Sequence, residues 1–487
     1  MTRPVLVTEN SRSALMTATG IAPPETLPQF VAAFVATLSA VCMGMVFSWT
    51  ASALPRLETE FHISDSQGAW IGSLVTLGAF IGAIPTGSIV HHIGRKRTLQ
   101  ILILPLLISW ILIAYYYHCI PVVYFARFIA GLSAGGISVA APMYVSELAH
   151  ISIRGTLGTF FQVQITVGLL IGYLFGGIIT DLRLLSLVSS ILPLIFLLSF
   201  AFIPESPVYL CEISNMEDAA KNLVWFRGQT YDVDDELLKI TEDIKESRKV
   251  KAKISDLVKT KATFKGLIVG FGLMIFQQLS GINAVLFYTN YIFDRSGGSL
   301  SPKHCTIVVG LVQVIATLGS TVLIEKAGRK MLLVLSDLIM CISLAALGVY
   351  FYLDTFTDVT AYSFVPLISV ALFIIFFSIG FGPIPWMIMA EIFTPKVKGI
   401  ASSLAASLNW FLAFMVTNQF ATMLDFFGIG PTFLIFSVIC GLGTAFVLLF
   451  VPETKGRTIE EVQAIMLGVQ AEKNLVNEKT NKMSTFV

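Results

Sequence analysis

Three carboxamides, Gln277, Gln278 and Asn283, fall within seven residues of an otherwise apolar segment. A carboxamide both donates and accepts hydrogen bonds. Several aimed at one cavity suit a neutral solute rich in hydroxyls and reject one that lacks them, because buried amides without partners are costly. At about 100° per residue the three point in divergent directions, so one straight helix face cannot present them all. Ser280-Gly281 between them offers a break, and helices broken in mid-course are where buried solute sites are often built. Amides that only tie one helix to another are the other use of the same residues. A second polar stripe, Thr159, Gln162, Thr166 and Tyr173, covers about 60° of one helix face, with Gln164 on the opposite side. Ser403, Ser407 and Trp410 share a third face. Trp386 follows Gly382-Pro383-Ile384-Pro385, where the prolines must distort a helix. Its indole is placed to lie against the apolar side of a ring-shaped solute.

Other chemistries lack their residues. The six histidines (His62, His91, His92, His118, His150 and His304) sit at or outside the ends of apolar runs, so no metal cluster or histidine-activated nucleophile is expected. No GxxxxGK[ST] loop is present to cradle a nucleotide phosphate. The six cysteines contain no CxxC and make no disulfide framework. No catalytic residue, metal or cofactor is expected, and the chain reads as a binding protein rather than an enzyme.

The elements that must hold these side chains follow from composition. Of 487 residues, 55% are hydrophobic and 13% charged, about half the charge of a soluble domain. The 32 basic and 31 acidic side chains nearly cancel, which argues against a nucleic-acid partner. Twelve segments reach the ~20 apolar residues that a membrane span needs: 29–53, 69–90, 98–117, 120–146, 155–180, 184–203, 266–293, 306–324, 331–353, 361–390, 399–424 and 426–451. The spans are too long and too uniform for barrel strands, so all are helices. The only charges within them are Arg127 in the fourth and Asp337 in the ninth. No signal-peptide pattern precedes the first. Arg95, Lys96, Arg97, Arg154, Lys326, Arg329, Lys330, Lys396 and Lys398 crowd one side, against Arg56, Arg183, Arg295 and Lys303 on the other. The basic side is therefore expected to be cytoplasmic, with both termini and the 204–265 loop. That loop carries charges at helical spacing (Asp235, Glu236, Lys239, Glu242, Asp243, Glu246) and reads as short amphipathic helices. Its Lys245–Lys261 part is basic enough to touch anionic lipid, although a solvated face is the better explanation.

The chain also repeats itself. Gly94-Arg95-Lys96-Arg97 after span two returns as Gly328-Arg329-Lys330 after span eight. Glu147 and Arg154 at the exit of span four return as Glu391 and Lys398 at the exit of span ten. Pro204-Glu205-Ser206-Pro207 after span six returns as Pro452-Glu453-Thr454-Lys455 after span twelve. The division predicted is a tail 1–28, a six-helix bundle 29–203, a linker 204–265, a second bundle 266–451 and a tail 452–487. Opposite charges at matching exits, Arg95, Arg97, Glu147, Arg154 and Glu205 against Arg329, Glu391, Lys398 and Glu453, are expected to form a gate that opens and closes. Arg127 is expected to pair within that network. Asp337, ~10 Å along its helix from Lys330, is expected to pair with the basic cluster.

These motifs, together with Gln277-Gln278-Leu279-Ser280-Gly281-Ile282-Asn283, Gly382-Pro383-Ile384-Pro385-Trp386 and Pro452-Glu453-Thr454-Lys455-Gly456-Arg457, resemble the sugar porter family of the major facilitator superfamily. The resemblance covers nearly the whole chain and is nearest to facilitative glucose transporters with a short first outer loop and to insect trehalose transporters. It implies an all-α polytopic membrane protein of twelve transmembrane helices in two pseudo-symmetric six-helix bundles. It further implies a uniporter for a glucose-like hexose or trehalose, working as a monomer among membrane lipids, most naturally in the plasma membrane. By the resemblance, the sugar site comprises Gln162, Gln277, Gln278, Asn283, Gln313, Trp386, Asn409 and Trp410. Two positions depart from the family: Gln313 stands where hexose carriers usually have asparagine, and Ser378 where many have glutamate. Proton-driven members carry an aspartate in span one, where this chain has Ser48 and no acidic residue. A proton-coupled symporter and a sensor that binds sugar without moving it are the alternatives.

Overall fold

The computed structural model describes residues 23–249, 255–296 and 301–467. The first 22 and last 20 residues of the expected tails, and part of the basic stretch Lys245–Lys261, lie outside it. Among the described residues, twelve helices are long and apolar enough to cross a membrane: Leu27–Phe61, Asp65–Ile93, Arg95–Tyr116, Ile120–Leu148, Arg154–Ile178, Leu182–Phe200, Lys261–Phe287, Pro302–Ile324, Arg329–Asp354, Val365–Ile392, Val397–Phe427 and Ile429–Phe450. All twelve predicted spans are present. The helices overrun the apolar runs, span one by two turns, because backbone hydrogen bonding continues into the interface after hydropathy falls. The expected amphipathic linker helices are Pro207–Glu212, Met216–Arg227, Val233–Lys249 and the single turn Asp256–Lys259. They lie at one end of the bundle, the linker face; the opposite end is the far face.

Span seven breaks after Leu279 and resumes at Ile282. Gly281 makes the break with φ of 83°, a left-handed conformation that costs a glycine little. Span ten breaks between Ile379 and Ile384, where the Gly382 N–H reaches back to the Phe377 carbonyl at 2.7 Å instead of the usual partner. Both breaks were legible from Gly and Pro. Span six is also interrupted, at Ser190. Pro193 supplies the cause, since its ring has no N–H and crowds the carbonyl one turn back.

Spans one with five and two with four make the tightest helix pairs of the first half, nine with twelve and nine with ten those of the second. Glycine permits this closeness. Gly78 and Gly82 on span two face Gly131 and Gly135 on span four so closely that a Cβ on any of the four would overlap a backbone carbonyl of the other helix. Gly44 and Gly168 do the same between spans one and five, where Gly172 also receives the Ser48 side chain. Small residues four apart on facing helices are the usual basis of close helix packing in lipid, where no hydrophobic force drives helices together.

The first six and last six spans meet along two seams, span two against eleven and span five against eight. Among the described residues, three hydrogen bonds close the far-face side: Tyr173 to the Leu286 carbonyl at 3.0 Å, Asn290 to the Ala51 carbonyl at 2.6 Å and Asn418 to Ser73 at 3.0 Å. A fourth joins Trp410 to Ser138 at 3.4 Å near mid-depth. The hydrogen bonds between the halves lie at the far face and at mid-depth, and at the linker-face ends of spans two, five and eleven a Cβ on Gly87, Gly158 or Gly399 would meet open space.

Candidate functional site

The amides converge beneath the far-face closure. Gln278 donates to the Asn409 Oδ1 at 2.9 Å, and Asn283 donates to the Gln278 Oε1 at 2.6 Å. Asn409 donates to the Gln277 Oε1 at 2.7 Å, and Gln277 donates to the Phe381 and Gly382 carbonyls at 2.6 and 3.0 Å. One chain of hydrogen bonds thus runs from span seven through span eleven to the break in span ten. The break is what lets divergent amides meet. After Gly281 the helix restarts in a new phase, so Asn283 returns to Gln278. Gln277 turns inward, and its amide satisfies carbonyls that the span-ten break would otherwise orphan. One of the two predicted uses of the amides, tying helices together, is seen for Gln277 with span ten and for Gln278 with span eleven, while Asn283 is half-buried at the other end of the chain of bonds.

Around this chain, Trp410 is buried against Phe47 with ring centroids 5.9 Å apart. Gln162 is half-buried with no hydrogen-bond partner among the described residues. Gln313 is buried and its Oε1 lacks a partner among the described residues. Ser378 is likewise buried with its hydroxyl unpartnered. Trp386 is 40% exposed and sits on the linker-face side of the span-ten break. Buried polar atoms without partners are rare, and each calls for a reason, such as a ligand or water. Tyr173, predicted on the same stripe as Gln162, belongs instead to the far-face closure.

The linker-face charges form two similar clusters, each within one half. In the first, Arg95 is fully buried and forks to Glu147 and Glu212, both at 2.8 Å. Ser206 donates to Glu147, and Glu205 accepts from the N–H groups of Lys96 and Ser206 at 2.9 and 2.8 Å. In the second, Arg329 meets Glu391 at 3.1 Å, Thr454 donates to Glu391 at 2.5 Å, and Glu453 accepts from the N–H groups of Arg329 and Lys330 at 3.0 and 3.1 Å. Gly94 and Gly328, with φ of 98° and 90°, leave the space that the Glu205 and Glu453 carboxylates fill. Burial raises the Glu453 pKa, but N–H donors from Lys455, Arg329 and Lys330 more than reverse this and hold it below the usual range. Arg97, Arg154 and Lys398 were expected in the same clusters but make no ion pair among the described residues. Arg154 donates only to the Ala149 carbonyl, at 3.4 Å.

Three sequence expectations need correction. Arg127 does not join the charge network. It is fully buried, donates to the Val46 and Ile71 carbonyls and the Thr50 hydroxyl at 2.8, 3.2 and 2.6 Å, and lies over Trp49 at 4.9 Å. Helix carbonyls have a second lone pair, so they can hold a guanidinium without any carboxylate. Asp337 does not pair with the basic cluster either. It is fully buried, its one polar neighbour among the described residues is the Cys440 thiol, and its carboxyl occupies the space left by Gly443. Arg329 and Lys330 are drawn to the helix ends instead. Third, Glu212 was missed, because it has no counterpart in the second half for a repeat search to find. The Pro207 that starts its short helix was the available signal.

Glu212 carries a pH prediction. Burial pushes its pKa up, but hydrogen bonds from His91 and Arg95 outweigh that and bring it down to about 2 from 4.5. A folded pKa below the unfolded one means that its stabilisation is complete above about 4.5 and disappears as pH falls towards 2. Glu212→Gln should therefore lower stability at pH 7, by ~1.5–3 kcal/mol for a lost charge-assisted hydrogen bond. The gap to the parent should shrink as pH is lowered to 3. A gap independent of pH in thermal-shift measurements on detergent-solubilised protein would remove Glu212 from this role.

The geometry can be set beside that of known proteins. A family model described as sugar (and other) transporter matches residues 20–466. The chain is 38% identical over 447 residues to a facilitated trehalose transporter of Aedes aegypti and 37% identical over 450 residues to one of Culex quinquefasciatus. These matches cover 90% and 91% of this chain, and 55% and 86% of those proteins. The chain thus spans about half the length of several curated relatives it matches. Among solved structures, it is similar to the inward-open conformation of the xylose transporter XylE from E. coli, with a TM-score of 0.76 and 27% identity over 90% of this chain and 99% of that one. It also resembles the proton:xylose symporter XylE bound to 6-bromo-6-deoxy-D-glucose, with a TM-score of 0.75 and 26% identity over 90% of this chain and 99% of that one. The chain is a multi-pass membrane protein of the major facilitator fold.

Proposed function

The chain belongs to the sugar porter family, and we propose that it is a facilitative carrier moving a glucose-like hexose or trehalose across a membrane by alternating access. The observation that carries this reading is the chain of amides from the half-buried Asn283 through the buried Gln278 and Asn409 to Gln277, at mid-depth, below a closed far face. Gln278, Asn283, Asn409, Gln162 and Gln313 supply sugar hydroxyls with partners, while Trp386 and Trp410 offer aromatic faces. Gln277 positions the others by holding span ten. The charge clusters around Arg95 and Arg329 keep each half rigid at the linker face while the halves rock against each other.

Uniport is favoured over proton symport by span one. Ser48 stands where a coupling carboxylate would be, and its hydroxyl bonds back to the Gly44 carbonyl at 3.1 Å. Arg127 is held by carbonyls of spans one and two and needs no carboxylate partner. In proteoliposomes, a counterflow panel of glucose, fructose, galactose, trehalose and polyols should give exchange with at least one of the sugars. An imposed pH gradient should give no accumulation above the outside concentration. Accumulation abolished by a protonophore would refute uniport; binding without flux would mark a sensor; preference for an amino acid or organic anion would refute the sugar reading.

The linker face is read as cytoplasmic on its basic loops; the plasma membrane and a monomeric working unit are what the family resemblance implies. Tags at Met1, within 210–240 and at Val487 should be reachable only after permeabilisation. Labelling of any of them on intact cells that display the protein would reverse the orientation.

A further inference from the structure

On the far face, outside the closure, the ends of spans one, two, seven and eleven surround a cavity of about 230 Å³. Glu58, Asp65 and Asp425 line it, with Arg295, Tyr288 and Tyr291 from the continuation of span seven. The three carboxylates come from three different helices, and none has a hydrogen-bond or ion-pair partner among the described residues. Glu58 lies beside Gly68, at the start of span two. Arg295 does not neutralise them; it lies over the Tyr291 ring at 5.3 Å. Tyr288, 7% exposed, borders the same space with a buried hydroxyl that has no partner, next to Thr417, whose hydroxyl also has none.

Net negative charge excludes an anion as the natural ligand. A metal ion needs ligands that converge within a few ångströms, and no group of three acidic, histidine or cysteine side chains does so among the described residues. A solute that donates many spaced hydrogen bonds, and has apolar patches for Leu54 and Leu424, meets these features. Ionised carboxylates are the strongest acceptors available for hydroxyl donors. We propose that this vestibule is a second, weaker site for a neutral polyhydroxyl solute, filled while the far face is still closed. The inference rests on the sugar-carrier reading and adds to it a loading site on the far-face route to the amides.

The test is sugar protection of a reporter thiol. Leu424→Cys places one at the cavity wall, with Ala421→Cys as a second position should the first be unreactive. The purified full chain in detergent is labelled with a bulky polar maleimide, using glucose or trehalose as the protecting solute and the parent protein as background. Sugar should slow labelling both in the parent sequence and in a Gln278→Leu background. Glu58→Gln with Asp425→Asn should raise the half-protecting concentration at least fivefold. Loss of protection in Gln278→Leu would mean that the thiol only senses the central site, and the proposal would fall while the carrier reading stood. Normal transport without protection would also overturn it, as would protection by organic ammonium ions but not sugars. Failure of every sugar in counterflow would sink the carrier reading separately, whatever the thiol reports.

Discussion

Gly135→Val is expected to abolish recovery of folded protein, while Gly158→Val leaves it intact. At Gly135 the added side chain would overlap the Ala79 carbonyl of span two, and the neighbouring Gly131 is equally tight against the Val75 carbonyl. Backbone cannot rotate away as a side chain can, so the two helices must separate. Overpacking costs ~1–3 kcal/mol where neighbours yield and more where they do not. Separation would also loosen the helices that hold Arg127, whose partners Val46, Thr50 and Ile71 lie on spans one and two. Total stability of only ~5–15 kcal/mol leaves little margin for both losses. At Gly158 an added Cβ meets nothing within 4 Å. Size-exclusion profiles and thermal melting of the two variants in detergent provide the comparison. A parent-like melting temperature for Gly135→Val would show that spans two and four are not in this close contact.

The second large effect is on transport. Gln278→Leu removes the donor to Asn409 and the acceptor for Asn283, leaving the buried Asn409 and the half-buried Asn283 each short of a partner. Each stranded group costs ~1–3 kcal/mol, and 1.4 kcal/mol is tenfold in affinity. Sugar transport efficiency should fall by roughly ten- to a hundredfold, with a lower melting temperature. Gln162→Leu gives the contrast, because Gln162 has no protein partner among the described residues to lose. It should weaken transport by about tenfold, one hydrogen bond to the solute, with melting unchanged. Normal saturation kinetics in both variants would dismiss these residues from the site.

The membrane spans were legible because a bilayer filters sequence severely: nearly every residue of a span must be apolar, so the pattern is readable without knowing any contact. The breaks in spans seven and ten were legible for a local reason as well, since glycine and proline act on their own backbone. The paired motifs brought Arg95, Glu147, Arg329 and Glu391 into one set of charges, because duplication preserved them. They set Glu147 beside Arg154 and Glu391 beside Lys398, where the structure pairs Glu147 with Arg95 and Glu391 with Arg329. Glu212 has no such copy and surfaced only when its helix was seen folded under Arg95.

What composition and motif order determined by themselves was a twelve-span, two-half membrane protein with amides at a broken helix. Tertiary structure alone decided what each buried polar group faces. Arg127 was assigned to the charge network because a buried charge needs a partner, and Asp337 to the basic cluster by distance along its helix, and both assignments failed. A buried charge is governed by whatever neighbouring helices present at its own depth, which for Arg127 are carbonyls and a hydroxyl, and for Asp337 the gap at Gly443. Likewise, the spacing of Gln277, Gln278 and Asn283 could not say which amide faces the cavity and which binds span ten. That choice depends on the phase in which the helix restarts after Gly281, and the phase is set by packing between helices rather than by local preference.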